Sequence, residues 1–400
     1  PKWRLGLPLS PIIVMWLWNM LYFLAMGFTA PYFPVLLEES GLTPSQIGLA
    51  FTISSIASGL FSYYMGRLSD RVGRLKILIS TTLLASISFM LLSVGFNPMI
   101  TVALFTLGMM GGGAANALFT AFSIDALEHA GLSRGIGFGR IRVGGNIGFI
   151  IGTLSGGVLV SAMGLGSIFF AAAIVIFVSA LSCIEVEEVR MIENRGEASV
   201  KASSLLRGSP GIFLIIVTLV MVVNSAIMNF LSLHLINTHG ASALEISVAF
   251  ALMALSDTPA MIYLGKLSDR IGRAPVLLLC LAVWPLRLTI IGLSPDRLSI
   301  ILAQALSSFT FGGFFVVSIA QASELVSESA RGAYMGLYSA TFSMGGVIGG
   351  YLWGSLAEAT SYASMFLYTA IFSLVPIALS GLILMKQRRV EVYSASPTGS

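Results

Sequence analysis

Twelve times along the chain a run of roughly 20 residues passes with almost no charge, the length a helix needs to cross the hydrocarbon core of a bilayer. The runs fall near residues 11–37, 43–65, 76–96, 98–127, 136–162, 166–185, 211–237, 243–265, 275–293, 298–325, 333–357 and 363–385. Short breaks between them hold most of the charge. Only 10% of the residues are charged and 56% are hydrophobic, whereas soluble globular chains carry roughly 25% charged residues. A soluble fold is therefore excluded. The expectation is an all-α, multi-pass membrane protein of twelve transmembrane helices.

Orientation follows from the basic residues, because cytoplasmic loops retain Lys and Arg. With the N-terminus inside, alternate connections collect Lys2 and Arg4; Arg67, Arg71, Arg74 and Lys76; Arg134, Arg140 and Arg142; Arg190, Arg195, Lys201 and Arg207; Lys266, Arg270 and Arg273; Arg331; and Lys386, Arg388 and Arg389. Only Arg287 and Arg297 of the 22 basic residues fall elsewhere. Both termini are thus expected in the cytoplasm. The net charge of +4 reads as an orientation signal, and no nucleic-acid partner is implied. Cys183 and Cys280 have no further Cys or His nearby at ligand spacing, so neither a disulfide framework nor a metal site is expected. The first span is too long for a signal peptide.

An internal repeat divides the chain. Gly66-Arg67-Leu68-Ser69-Asp70-Arg71-Val72-Gly73-Arg74 returns, at an offset of 199, as Gly265-Lys266-Leu267-Ser268-Asp269-Arg270-Ile271-Gly272-Arg273. A second echo, at an offset of 197, relates Arg134-Gly135, Gly139, Gly148 and Gly152 to Arg331-Gly332, Gly336, Gly345 and Gly349. The expected organisation is a six-helix bundle over 1–186, a cytoplasmic linker over 187–209, a second bundle over 210–389 and a disordered tail over 390–400. Parallel six-helix halves of this kind are the plan of one large class of secondary transporters. In each loop, Gly at both ends permits a tight turn and Arg71, Arg74, Arg270 and Arg273 reach headgroups. Asp70 and Asp269 are expected to face the starts of helix 11 near Gly332 and helix 5 near Gly135. These contacts would close the cytoplasmic side and break when it opens.

The GxLSDRxGR signature in both halves, the twelve spans and the central linker together resemble the major facilitator superfamily over essentially the whole chain. That resemblance implies two pseudo-symmetric six-helix bundles that transport a small molecule by alternating access. A narrower likeness lies in Gly137-Phe138-Gly139-Arg140-Ile141-Arg142-Val143-Gly144-Gly145-Asn146-Ile147-Gly148-Phe149, which is similar to the helix 5 pattern of the proton-linked sugar, nucleoside and phenylpropionate permeases. It implies substrate contact by Arg142 and by Asp125 or Glu128. Asn146 departs from that pattern, and the acidic and His cluster of the lactose permease is missing from the second half. The helix 5 antiporter motif of drug exporters is incomplete too, since Gly152-Thr153-Leu154-Ser155-Gly156-Gly157 lacks its Pro.

Ionisable groups inside a membrane are costly and therefore candidates for function. Asp257 in helix 8 and Arg287 in helix 9 are read either as a proton coupler or as a static buried ion pair. In the first case Asp257 stays charged beside Arg287 and takes a proton when rocking removes it. Arg140 and Arg142 are two residues apart and cannot share a helix face, so one points to the cavity while the other meets headgroups or Glu128. Glu324, with Glu328 and Arg331, reads as a gating pair or a proton carrier. His234, near the end of helix 7, reads as solvated or as a titrating group. Trp16, Asn19, Tyr22 and Phe23 on helix 1, with Asn224 and Asn229 on helix 7, read as an aromatic wall with amide donors or as ordinary packing.

The glycine runs follow no strand and precede no Lys-Ser/Thr, so they are not phosphate loops. No cofactor is expected, and no nucleophile with a base and orienter marks an enzyme. The expected partners are a small-molecule substrate, protons and the lipid bilayer, with the chain acting as a monomer in a prokaryotic cytoplasmic membrane. Proton-coupled symport of a small organic solute leads, and proton-coupled efflux of lipophilic compounds is the alternative.

Overall fold

The computed structural model describes residues 10–132, 134–184, 186, 188 and 205–381, and for 134–136 the backbone alone. The tail 390–400 and most of the linker 187–209 lie outside the described residues. Within them run twelve helices: α1 (Pro11–Glu39), α2 (Pro44–Val72), α3 (Arg74–Leu92), α4 (Pro98–His129), α5 (Arg134–Met163) and α6 (Gly166–Ser182), then α7 (Gly208–His239), α8 (Ala243–Ile271), α9 (Arg273–Leu293), α10 (Arg297–Glu324), α11 (Glu328–Ala359) and α12 (Tyr362–Gly381). No strand occurs among the described residues. Ten of the helices are long and apolar enough to cross a membrane and α6 is a shorter apolar helix; α11 packs alongside α2 and α7.

Local sequence sets the helix ends. Proline opens α1, α2 and α4, where its missing N–H costs nothing. Repeat-related capping boxes start α2 (Thr43 with Gln46) and α8 (Ser242 with Glu245). The repeated signature is less of a loop than its sequence suggests. Gly66 and Gly265 are helical, and α2 and α8 run on to Val72 and Ile271. Only Gly73 and Gly272 break the chain, with φ of 119° and 96°, a region that L side chains rarely adopt. Helical hydrogen bonding persists past the apolar run, so the polar ends of α2 and α8 project as extra turns.

Glycines let helices touch backbone to backbone within each half. A Cβ on Gly148 or Gly152 of α5 would lie 2.1 Å from the carbonyl oxygens of Met20 or Leu24 on α1. Gly345 of α11 would likewise meet Met221 of α7 at 2.3 Å. Such contacts suit a membrane interior, where small residues rather than the hydrophobic effect bring helices together.

Among the described residues the two halves meet on one face. Opposite the face that carries Gly73 and Gly272, here called the loop face, Gly48 of α2 lies against Gly350 of α11, and Gly157 of α5 against Ser247 of α8. Hydrogen bonds cross the same seam. Tyr32 donates to the Ala243 carbonyl at 2.6 Å, Ser232 to the Pro31 carbonyl at 2.5 Å, and Asn237 to Glu38 at 2.7 Å. The backbone N–H of Ser45, in the first turn of α2, donates to the Glu358 carboxylate of α11 at 2.8 Å. At the loop face, by contrast, Gly66, Gly139, Gly332 and Gly336 have open space where a Cβ would be. Tyr63, on the stripe of α2 that carries Thr52, is more than half exposed there. The molecule is closed opposite the loop face and open at it.

Candidate functional site: a cavity between the two halves

Where the halves diverge, a cavity of about 390 Å³ opens between α1, α5, α7, α8, α10 and α11. Its wall is largely aromatic and thioether: Phe23, Phe149, Phe250, Phe311, Phe315 and Phe342, with Met228, Met253 and Met261. Phe311 and Phe315 lie nearly parallel at 5.8 Å, and Phe342 meets Phe315 edge-on. Against this surface stand Arg142 and Asn146 from α5, Asn224 from α7, Asp257 and Thr258 from α8, and Ser307 from α10. One full positive charge therefore faces the cavity from the first half and one carboxyl from the second.

Arg142 makes no ion pair or hydrogen bond through its side chain to any described residue. Its guanidinium stands over the Phe23 ring at 5.6 Å, a cation–π contact. Asn19, which sequence placed on the cavity wall, instead fixes this part of α5: its amide donates to the Ile141 carbonyl at 3.1 Å. Tyr22 is turned inward as well, stacked on Trp18 at 4.8 Å. Both are buried and neither lines the cavity. Asn229 is buried away from it too, whereas Phe23 and Asn224 do line it. Helical geometry explains Tyr22, rotated about 100° off Phe23; Asn19 shares the Phe23 face one turn away, but there α5 packs directly on it at Gly145 and the Ile141 carbonyl.

Asp257 and Arg287 are neighbours of a different kind from the expected pair. The Arg287 side chain is completely buried and donates to Thr310 Oγ1 and Gln304 Oε1, each at 2.7 Å. Those partners sit where α10 loses regular geometry: it is α-helical over Arg297–Ala303, tightens to a 3₁₀ turn at Gln304–Leu306, widens to a π turn at Ser308–Gly313, and resumes at Phe314. Such mid-helix irregularity marks functional hinges. Arg287 makes no ion pair with Asp257, whose Oδ1 is buried without a hydrogen-bond partner. Gly312 brings the π turn against Asp257; a Cβ there would lie 2.9 Å from the Asp257 Cα.

Asp125, which the resemblance assigned to substrate, and Glu324, read as a gating pair or a proton carrier, occupy equivalent places in a repeated brace at the loop face. Arg74, the first residue of α3, pairs with Asp125 at the end of α4 and with Asp70 at 3.6 Å. Arg273, the first residue of α9, pairs with Glu324 at the end of α10 at 3.1 Å and with Asp269. The three positions in one half map on those in the other at the offset of 199. Each brace ties the repeated signature to a helix of its own half, away from the cavity lining. The expected bonds from Asp70 to α11 and from Asp269 to α5 are absent among the described residues, and both side chains are more than 60% exposed. That is the state in which such a latch would be open. Arg71 and Arg270 are exposed on the same face.

His234 is neither solvated nor free. It is fully buried, with Nε2 3.1 Å from the Ile291 carbonyl and Nδ1 3.1 Å from Thr238 Oγ1.

Comparison with known proteins agrees with this architecture. An uncharacterized MFS-type transporter of Methanocaldococcus jannaschii is 25% identical over 381 residues, covering 91% of this chain and 95% of that one. Multidrug resistance protein MdtG of Escherichia fergusonii is 28% identical over 290 residues, covering 68% of this chain and 69% of the relative. Among solved structures, nucleoside transporter NupG superposes with a TM-score of 0.81 at 16% identity, covering 94% of this chain and 99% of that one. A bacterial homologue of the human lysosomal transporter Spinster gives 0.75 at 14%, covering 93% and 96%. Both share the fold. With the model of the MFS_1 like family matching residues 13–368, two repeat-related helical bundles and a cavity between them, this chain belongs to the MFS_1 like family of major facilitator transporters.

Proposed function

We propose that this chain carries a small organic solute with an anionic group and an aromatic or other apolar body across a prokaryotic cytoplasmic membrane, in symport with protons. The observation that carries this reading is the unpartnered Arg142 guanidinium on a phenylalanine-lined cavity, facing a carboxyl of the other half. A free guanidinium binds a carboxylate bidentately, and the phenylalanines supply the apolar contact. The positive-inside count puts the loop face in the cytoplasm, so the open side faces inward. Asp257 is the proton carrier, and the α10 irregularity beside it is the element that moves.

The phenylalanine and methionine wall also favours a second reading, export of lipophilic compounds, and relatives that match two thirds of the chain are named multidrug resistance proteins. The two differ in the ligand charge that Arg142 selects. Liposomes with a pH-sensitive dye in the lumen separate them. Phenylpropionate and related aromatic carboxylates are expected to acidify the lumen. In Arg142→Ala their half-saturation rises about 30-fold, the effect of losing a charge-assisted pair worth roughly 2 kcal/mol. Alkalinisation driven by lipophilic cations, indifferent to Arg142→Ala, would replace symport with export.

The brace gives a contrasting expectation. Asp125→Asn leaves half-saturation within about twofold, because Asp125 lies away from the cavity, but slows turnover by loosening the α3–α4 contact. A half-saturation shift as large as that of Arg142→Ala would return Asp125 to the substrate site.

A further inference from the structure

A second cavity, also of about 390 Å³, lies outside the transport path between the first turns of α1 and the second turn of α5. Ile12, Ile13, Trp16, Arg140 and Ile141 line it. Its orientation follows from α5. At 100° per residue, Arg140 is 200° from Arg142 and shares a stripe with Val143, Ile147, Ile151, Leu154 and Val158. All five of those apolar side chains are between 38% and 58% exposed. In a chain that spans a membrane such a stripe faces acyl chains, and Arg140 caps it at the loop face. Trp16 closes the groove from the α1 side, lying on Gly144, where a Cβ would be 3.0 Å from its indole.

Arg140 is exposed and makes no ion pair or hydrogen bond with any described residue. An arginine at the end of a lipid-facing stripe, beside a tryptophan at the same depth, sits at headgroup level. None of the five groove residues carries a carboxylate, so a zwitterionic headgroup would find a cation for its phosphate but no opposite charge for its ammonium, with the Trp16 ring the one weaker partner among them. We infer that this groove binds an anionic phospholipid, with the phosphate on Arg140, the glycerol and first methylenes against Ile12, Ile13 and Trp16, and an acyl chain along Val143, Ile147 and Ile151. A bidentate guanidinium–phosphate contact supplies geometry as well as charge. The two arginines of one helix turn thus divide the work: Arg142 faces the solute and Arg140 the lipid.

The test is native mass spectrometry of the full chain released from detergent with phosphatidylglycerol or phosphatidylcholine added. Wild type, Arg140→Gln and Lys266→Gln are compared. Lys266 is exposed on the same face outside the groove, so its variant removes the same charge. The expected result is a retained phosphatidylglycerol adduct that Arg140→Gln weakens about fivefold and Lys266→Gln leaves unchanged, with no matching phosphatidylcholine adduct. Equal loss in both variants would mean charge attraction without a site, and equal retention of phosphatidylcholine would mean an apolar groove indifferent to the headgroup; either overturns the proposal. Melting temperatures in detergent without added lipid are expected to match for all three proteins, since both side chains are exposed. Ile13→Asn, which alters the groove and leaves every charge in place, is expected to weaken the same adduct, and an unchanged adduct also counts against the site.

Discussion

Asp257→Asn vesicles are expected to lose solute accumulation driven by a pH gradient while still exchanging labelled for unlabelled solute. The wild-type carboxyl sits at the boundary between α8 and α10, with Oδ1 unsatisfied and Gly312 of the π turn against its backbone. Arg287 directs two of its donors to Gln304 and Thr310 and makes no ion pair with Asp257, so no such pair locks Asp257 in one charge state. On the proposed function it is this carboxyl that takes and releases the coupled proton as the surrounding helices shift. Asparagine keeps the shape and cannot cycle a proton, so binding and rocking persist but coupling does not. For one proton per solute, a gradient of one pH unit supports about tenfold accumulation, and the variant should settle near equal concentrations inside and out. Retention of pH-driven accumulation by Asp257→Asn would put the proton on another group and leave Asp257 a structural residue.

The architecture was legible because its signals are long. Twelve apolar runs and a nine-residue duplication survive any uncertainty about helix ends, and twelve helices follow those runs among the described residues. The site was legible only in part, for reasons visible at single residues. A buried amide reads alike in sequence whether it faces a cavity, as Asn224 does, or a neighbouring carbonyl, as Asn19 does. Asp125 and Glu324 fall within two residues of the ends of the expected spans 98–127 and 298–325, where sequence does not tell a charge that faces the cavity from one braced to a neighbouring helix, as both are. Their shared offset with Arg74 and Arg273 was present in the sequence and identifies the brace once the pairs are seen. The break in α10 had no comparable signal. Gly312 and Gly313 hint at flexibility, but the irregular turns coincide with the place where a buried arginine on another helix takes Gln304 and Thr310 as partners. Nor does sequence choose between the two faces: the conformation is set by which side the halves touch on.

That choice of face separates two glycine substitutions that look alike. Gly148→Val and Gly48→Val each add a β-branched side chain to a glycine on a helix–helix contact, and each new Cβ would fall 2.1 Å and 2.2 Å, respectively, from a backbone oxygen. The oxygen beside Gly148 belongs to Met20, on α1 of the same bundle. If the bundles rock as rigid bodies, α1 and α5 stay packed in every state, so no conformation relieves the clash and Gly148→Val is expected to yield little folded protein. The oxygen beside Gly48 belongs to Gly350, in the other half. That contact exists only while the face opposite the loops is closed, so rocking releases it. Overpacking of this kind costs roughly 1–3 kcal/mol, and about 3 kcal/mol shifts a two-state equilibrium more than 100-fold. Gly48→Val is therefore expected to fold and to favour the state open on the opposite face. Thiol labelling reads this directly. Tyr63→Cys, 59% exposed at the loop face on the stripe of α2 that carries Thr52, should react more slowly in the Gly48→Val background, whereas Ser232→Cys, 1% exposed in the closed seam, should react faster. If Gly48→Val instead misfolds as Gly148→Val does, the α2–α11 seam is a permanent part of the fold, and alternating access cannot proceed by opening it.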